Sequence, residues 1–258
     1  MKRNALIVIV FIICSTVAIV FIANAAAVQN KMLLLLAGVT KLGSLMIAAI
    51  FSFRSAQLLG EGNPARRPWM ILGAGLTAMS LGQGLLVFYQ YTTGKTPFPS
   101  PADFWFVLSY PLIIFALIQF ALTYTRSGFG SNGLSVFAVV IFIIFAAIAW
   151  PILQPVAHMP AAPMEKALNL AYPSLDLLLM VPIAVLLRIT SRFRGGAVWP
   201  IWLSLLVGFV FTAAGDILFA YLSALGHNEL DPMIHAMYVV AYGNLAWGAL
   251  FQERLLTA

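Results

Sequence analysis

Charge is what this sequence has least of. Eight residues are Asp or Glu, fourteen are Lys or Arg, and charged residues fill only 9% of the 258 positions. A soluble domain needs a polar surface, and this composition excludes one. Hydrophobic residues make up 62%, which suits a polytopic membrane protein whose exterior is covered by lipid. Cysteine is scarcer still. The single Cys14 lies in the first apolar run, so a disulfide framework is excluded. Histidine occurs three times, as His158, His227 and His235. A haem pair needs histidines at matching depth inside helices, and only His235 falls in one, so neither metal nor haem is expected. The chain has no Walker loop, HExxH, GxSxG or nucleophile–base pair, so the usual catalytic signatures are missing. No basic–aromatic stripe points to nucleic acid. No hydrophilic stretch among these residues is long enough for a kinase, cyclase or receiver domain.

What is present is a series of eight apolar runs, each long enough to cross a bilayer as a helix. They cover about Ala5–Val28, Met32–Phe53, Trp69–Tyr91, Ala102–Tyr124, Leu134–Leu153, Ala167–Ile189, Trp199–Leu225 and Pro232–Leu250. The fifth is expected to end at Trp150-Pro151. The first has an alternative as a secretory signal peptide, because Ala23-Asn24-Ala25 resembles a cleavage site. Its apolar length of about 20 residues favours a retained span. Eight spans put both termini on one side. Lys2, Arg3, Arg54, Arg66, Arg67, Arg126, Arg188, Arg192, Arg194 and Arg254 then share that side, against Lys31, Lys95 and Lys166 on the other. The positive-inside rule makes the arginine side cytoplasmic. Trp69, Trp105, Trp199 and Trp202 lie near span ends, where aromatic belts form. Pro111, Pro173 and Pro182 should kink their helices, shaping a cavity or simply permitting packing.

The chain also carries an internal repeat. LAGVTKLGSLMIAAIFSFR, from Leu36 to Arg54, aligns without a gap on LAYPSLDLLLMVPIAVLLR, from Leu170 to Arg188. Gly82-Gln83 answers Gly215-Asp216, and Asp103 precedes Tyr110 as Asp231 precedes Tyr238. The expected fold is all-α, with two parallel four-helix repeats over residues 1–126 and 127–258. Chance similarity between apolar helices is the alternative. The agreement of polar and loop positions favours duplication, with the symmetry axis along the membrane normal.

Four polar residues stand out inside the spans: Lys41, Gln83, Asp176 and Asp216. Each lies about eight or nine positions from the non-cytoplasmic end, roughly 12–14 Å deep at about 1.5 Å per residue. Ionisable groups at such depth cost several kcal/mol unless paired or hydrated, so they should face the bundle interior. Lys41 is expected to pair with Asp176 or Asp216. One reading is an outward-facing pocket for a ligand, ion or proton, and the other is an ion pair that fixes helix packing. Tyr110, Tyr172, Tyr238, Tyr242 and Asn244 are hydrogen-bonding candidates beside them, or ordinary packing residues. Ser100, Pro101 and Asp103 read as N-cap, first helical residue and capping box, and Asp231-Pro232 repeats the pattern. Capping explains Ser100, Asp103 and Asp231 without function, although they sit at the mouth of the expected pocket.

The stretch PFPSPADFWFVLSYPL, from Pro97 to Leu112, resembles a segment in the N-terminal multi-span regions of bacterial GGDEF and EAL signalling proteins and related sensor kinases. The resemblance extends to ARRPW, AYPSLDLLL, GDILFAYLSALG and the Asp231–Tyr238 segment, and covers most of residues 65–250. Gln83 departs from it, standing where a Gly-Asp pair is common in that family. The resemblance implies a sensory or ligand-binding module of the cytoplasmic (inner) membrane. The output domain of that family is not within these residues, so the expectation is action through a membrane or cytoplasmic partner. Arg54, Arg66, Arg67, Arg188, Arg192 and Arg194 are the expected partner-facing residues. An accessory subunit of a larger membrane complex, contacting lipid or pigment, is the alternative. A lipid-processing enzyme is third and a small-solute carrier fourth. No cofactor is expected beyond such lipid or pigment.

Overall fold

A computed structural model describes residues 31–129, 133–225 and 231–258. Among them the chain is helical throughout, with no strand. Seven long helices follow one another: α1 (Lys31–Leu59), α2 (Arg66–Thr93), α3 (Pro101–Tyr124), α4 (Leu134–His158), α5 (Pro163–Thr190), α6 (Trp199–Leu225) and α7 (Asp231–Thr257). Short turns at Thr125–Phe129 and Ser191–Phe193 follow α3 and α5. Six helices, α1 to α6, are long and apolar enough to cross a membrane. The protein is a multi-pass membrane protein on that ground. The expected first span lies outside the described residues. The expected eighth is α7, a helix of the right length. His235, two tyrosines, Asn244 and Glu253 make it too polar to qualify by composition, and it lies largely buried against its neighbours.

Most helices run past the apolar limits read from sequence. Helix α1 continues through Arg54 to Leu59, and α7 runs through Glu253 and Arg254 to Thr257. Helix α5 begins at Pro163, which suits a first-turn position because its missing N–H has no intrahelical partner there anyway. Helix α4 does not stop at Pro151 but carries both Pro151 and Pro155 inside it. Pro111, Pro173 and Pro182 are likewise interior, and their helices continue past them. Each proline removes one backbone bond, which a helix held by its neighbours in lipid tolerates.

Six helices close into a ring, in the order α1, α2, α3, α5, α6, α7 and back to α1. Helix α4 stands outside it, packed on α5 and α6. Two glycine pairs, each spaced two turns apart, bring backbones close. On α2, a Cβ at Gly75 would lie 2.6 Å from Ile113, and one at Gly82 would lie 3.0 Å from the Ala102 carbonyl and Phe106 of α3. On α6, a Cβ at Gly208 would lie 2.7 Å from Leu245, and one at Gly215 would lie 2.9 Å from Tyr238 of α7. Small residues at such crossings gain packing that lipid cannot supply. Ala37 of α1 clusters with Ala236 and Val239 of α7 in the same manner.

Every arginine among the described residues falls at one end of this ring, by the alternating direction of the helices. The centre of that end is aromatic. Trp69 meets Phe120 edge-on at 5.2 Å, and Phe120 meets Trp202 at 5.0 Å. The Trp202 indole N–H donates to Tyr124 Oη at 3.3 Å. Trp69 and Trp202 are only 2% and 4% exposed. These two tryptophans are therefore core residues, and the aromatic-belt expectation is corrected for them. Beside them, Glu253 of α7 is buried and takes Arg54 of α1 at 3.1 Å.

Candidate functional site

The other end of the ring holds a cavity of about 250 Å³. The start of α3 shapes its rim. Ser100 Oγ accepts from the Ala102 N–H at 3.2 Å, and Asp103 Oδ2 accepts from the Ser100 N–H at 2.6 Å. The expected capping box is present. Asp103 has a second task, since its Oδ1 accepts from the Tyr172 hydroxyl of α5 at 2.6 Å. One carboxylate thus fixes the start of α3 and joins it to α5. Phe98, in the turn before α3, packs edge-on against Phe219 of α6 at 5.5 Å.

Deeper in, four helices share one carboxylate cluster. The Tyr110 hydroxyl of α3 lies 2.9 Å from Asp176 Oδ1 of α5 and 3.0 Å from Asp216 Oδ2 of α6. Tyr238 of α7 donates to the other oxygen of Asp216. A tyrosine hydroxyl has one proton and can give it to only one acceptor. Both Tyr110 contacts are hydrogen bonds only when one carboxyl supplies a proton of its own. Running from Asp216 through the Tyr110 oxygen to Asp176, or in reverse, the three groups form a relay that holds one negative charge instead of two. Asp176 Oδ2 is buried and has no hydrogen-bond partner.

Lys41 is not part of this cluster, which corrects the expected pair. Its ammonium lies 2.8 Å from His235 Nδ1 and 5.6 Å from the centre of the Tyr238 ring. Where Lys41 is an ammonium it only donates, and Nδ1 then accepts with the imidazole proton on Nε2. The ring face adds a cation–π contact. No carboxylate lies within ion-pair reach of Lys41 among the described residues. The repeat register put Lys41 and Asp176 at comparable depth. The contacts they make separate them, because α7 lies beside α1 and supplies His235 and Tyr238 first.

The cavity gathers most of the residues read from sequence. Lys41, Gln83, Asp103 and Asp216 line it, together with Tyr110, Tyr172 and Tyr238. Gln83 donates from Nε2 to the Gly38 carbonyl at 3.3 Å. Three expected residues are elsewhere. Asp176 stands behind Tyr110 and does not line the cavity. Asn244 donates to the Val240 carbonyl of its own helix at 2.8 Å. Ser100 caps α3 below the rim. Asp231 opens α7, and its side chain lies outside the described part. Tyr242, another of the sequence candidates, also lines it, and the structure adds His235, Thr212 and Gln90. His235 was legible as a helical histidine, but the search for a matched histidine pair passed it over. Gln90 carried no signal, since a Gln near a helix end is ordinary.

The basic residues are largely engaged within the chain. Arg54 pairs with Glu253 and Arg66 with Glu61. The Arg188 guanidinium lies 4.5 Å from the Phe137 ring centre, and Arg194 lies 5.5 Å from Trp199. Arg54, Arg67, Arg188, Arg192 and Arg194 remain exposed all the same. Among the described residues no group of three or more His, Cys, Asp or Glu side chains gathers to hold a metal ion. Comparison with protein-family models, with curated proteins and with solved structures finds no match to this chain.

Proposed function

We propose that the protein is a non-enzymatic, ligand-sensing membrane module whose cavity faces outward across a bacterial-type cytoplasmic membrane. The single observation carrying this reading is the cavity itself. It collects polar side chains from six helices at one end of a bundle that is otherwise apolar. Small-molecule sites are concave, mostly apolar and furnished with a few placed polar groups. The arginines at the opposite end support a cytoplasmic assignment for that end, with both termini on it. There Arg54, Arg66, Arg67, Arg188, Arg192 and Arg194 are the residues a partner protein would meet, five of them exposed.

The same reading includes eight spans in two parallel repeats. Exchange of α1 with α5, α2 with α6 and α3 with α7 maps the ring of helices onto itself. The glycine pairs on α2 and α6 have equal spacing, and each packs on the next helix, α3 or α7, which the exchange relates. These features support duplication, as does the likeness to the membrane regions of GGDEF and EAL signalling proteins.

One observation favours an accessory subunit as a second reading. Helix α4 turns Val136, Val139, Ile143, Ile148 and Trp150 outward, with only 6% of its apolar window buried. Such a face suits lipid or a neighbouring membrane subunit. Native mass spectrometry after gentle extraction separates the two readings. The sensor reading expects a single chain carrying a small molecule, and loss of that mass when Phe219→Trp narrows the cavity. A bare chain would sink it. Partner chains in fixed ratio would move the assignment to the subunit.

A further inference from the structure

The polar groups of the cavity have a sign. The carboxylate oxygens that line it each hold a donor from the protein. Asp216 is hydrogen-bonded to Tyr110 and takes Tyr238, and Asp103 takes the Ser100 N–H and Tyr172. The donors are less fully used. Lys41 has three N–H groups and one hydrogen bond, to His235. If His235 accepts at Nδ1, its Nε2–H remains to be placed. Gln90 lines the cavity with a buried side-chain amide nitrogen that has no partner. A buried donor without an acceptor is costly, and these three belong to one cavity. Around them the wall is apolar, with Leu34, Leu35, Phe98, Phe219 and Ile234.

We infer that the cavity takes a small amphipathic carboxylate, its anionic group against Lys41 and its short apolar body against these side chains. The inference rests on the ligand-binding reading and adds the class of ligand. A cation fits poorly. It would face the Lys41 ammonium, and the carboxylates that line the cavity already hold hydrogen bonds from the protein. A carboxylate supplies the acceptors that Lys41 and Gln90 lack and gives the buried ammonium a counter-charge. Its source is either a free metabolite or a fatty acid from the bilayer.

The test is saturable binding to the full chain in nanodiscs, with empty nanodiscs subtracted. Hexanoate, hexylammonium and hexan-1-ol serve as probes of equal length and different charge. Hexanoate should bind at least about tenfold tighter than either of the others, and Lys41→Met should remove at least about that factor, as loss of one charge-assisted contact implies. Lys41→Arg keeps the charge and should keep the preference. It decides the matter if Lys41→Met does not fold, and Gln90→Leu gives a second, smaller loss. Hexylammonium or hexanol binding as tightly as hexanoate overturns the inference, as does unchanged hexanoate binding in Lys41→Met. If one of those two probes binds saturably and Phe219→Trp abolishes it, the ligand-binding reading survives without the anion. If none of the three binds, the anion inference is wrong, and the mass carried by the extracted chain judges the ligand-binding reading separately. Retained hexanoate binding with longer-chain acids binding tighter would name the bilayer as source, and a maximum at short chains would name a free metabolite. Either source upholds the carboxylate class.

Discussion

The two ends of the helix ring solve the same closure problem differently. At the arginine end, large rings fill the centre, where Trp69, Phe120 and Trp202 are buried against one another. At the other end the centre is filled by hydroxyls, carboxylates, an imidazole and an ammonium around a cavity. The same six helices make both ends. The difference therefore comes from side chains a few turns apart on each helix. Helix α2 runs from Trp69 at one end to Gln83 and Gln90 at the other, and α6 from Trp202 to Asp216. Apolar packing in the first region serves stability. The polar network in the second is expensive to bury and orders the helices around a space.

Substitutions should separate these regions by size and kind of effect. Trp202→Ala should cost most, about 3–5 kcal/mol in unfolding free energy, as for large aromatic truncations in tight cores. Denaturant titration in detergent checks this, and ligand occupancy of the folded fraction should be unchanged. An equal loss of occupancy would join the two ends into one unit. Tyr110→Phe should cost about 1–3 kcal/mol, because it removes one hydroxyl and strands the carboxylate oxygens on either side. Adding Asp176→Asn should return part of that loss, since the amide can donate where the hydroxyl did. If the double variant is simply the sum of the two singles, the relay between Asp176 and Asp216 is wrong.

Ser100→Ala should cost about 1 kcal/mol through the lost cap. Asp103→Asn should cost more than Ser100→Ala, because it also weakens the bond from Tyr172. If the two are equal, the link from α3 to α5 carries no weight. Arg54→Ala should be smallest, under about 1 kcal/mol, because Arg54 is 54% exposed and its pair with Glu253 is partly solvated. Glu253→Gln in the same background should return that loss, because Arg54→Ala leaves the buried carboxylate of Glu253 without its partner.

Much of the cavity was legible because ionisable residues inside apolar runs announce themselves. Lys41, Gln83 and Asp216 needed no periodicity to be noticed, and the capping box at Ser100 and Asp103 is a local pattern of fixed spacing. The inward-facing side of each helix was harder. In lipid both faces of a span are apolar, so hydrophobic periodicity does not mark the core. Trp69 and Trp202 were therefore read as interfacial from their place near span ends, when their neighbours bury them. The partner of Lys41 was misread for a related reason. Depth along each helix can be counted from sequence, but which helix stands next to which cannot. His235 became visible only once α7 lay beside α1.

The glycine pairs divide the ring into seams of two types. Along α2–α3 and α6–α7, Gly75, Gly82, Gly208 and Gly215 let the facing helix pack against bare backbone, through Ile113, Phe106, Leu245 and Tyr238. Between α3 and α5, and between α7 and α1, the joins include removable polar clasps: Tyr110 to Asp176, Tyr172 to Asp103, and Lys41 to His235. Each glycine-packed pair is thus a stiff panel, and a ligand that competes for a clasp bears on the line where a panel meets α5 or α1.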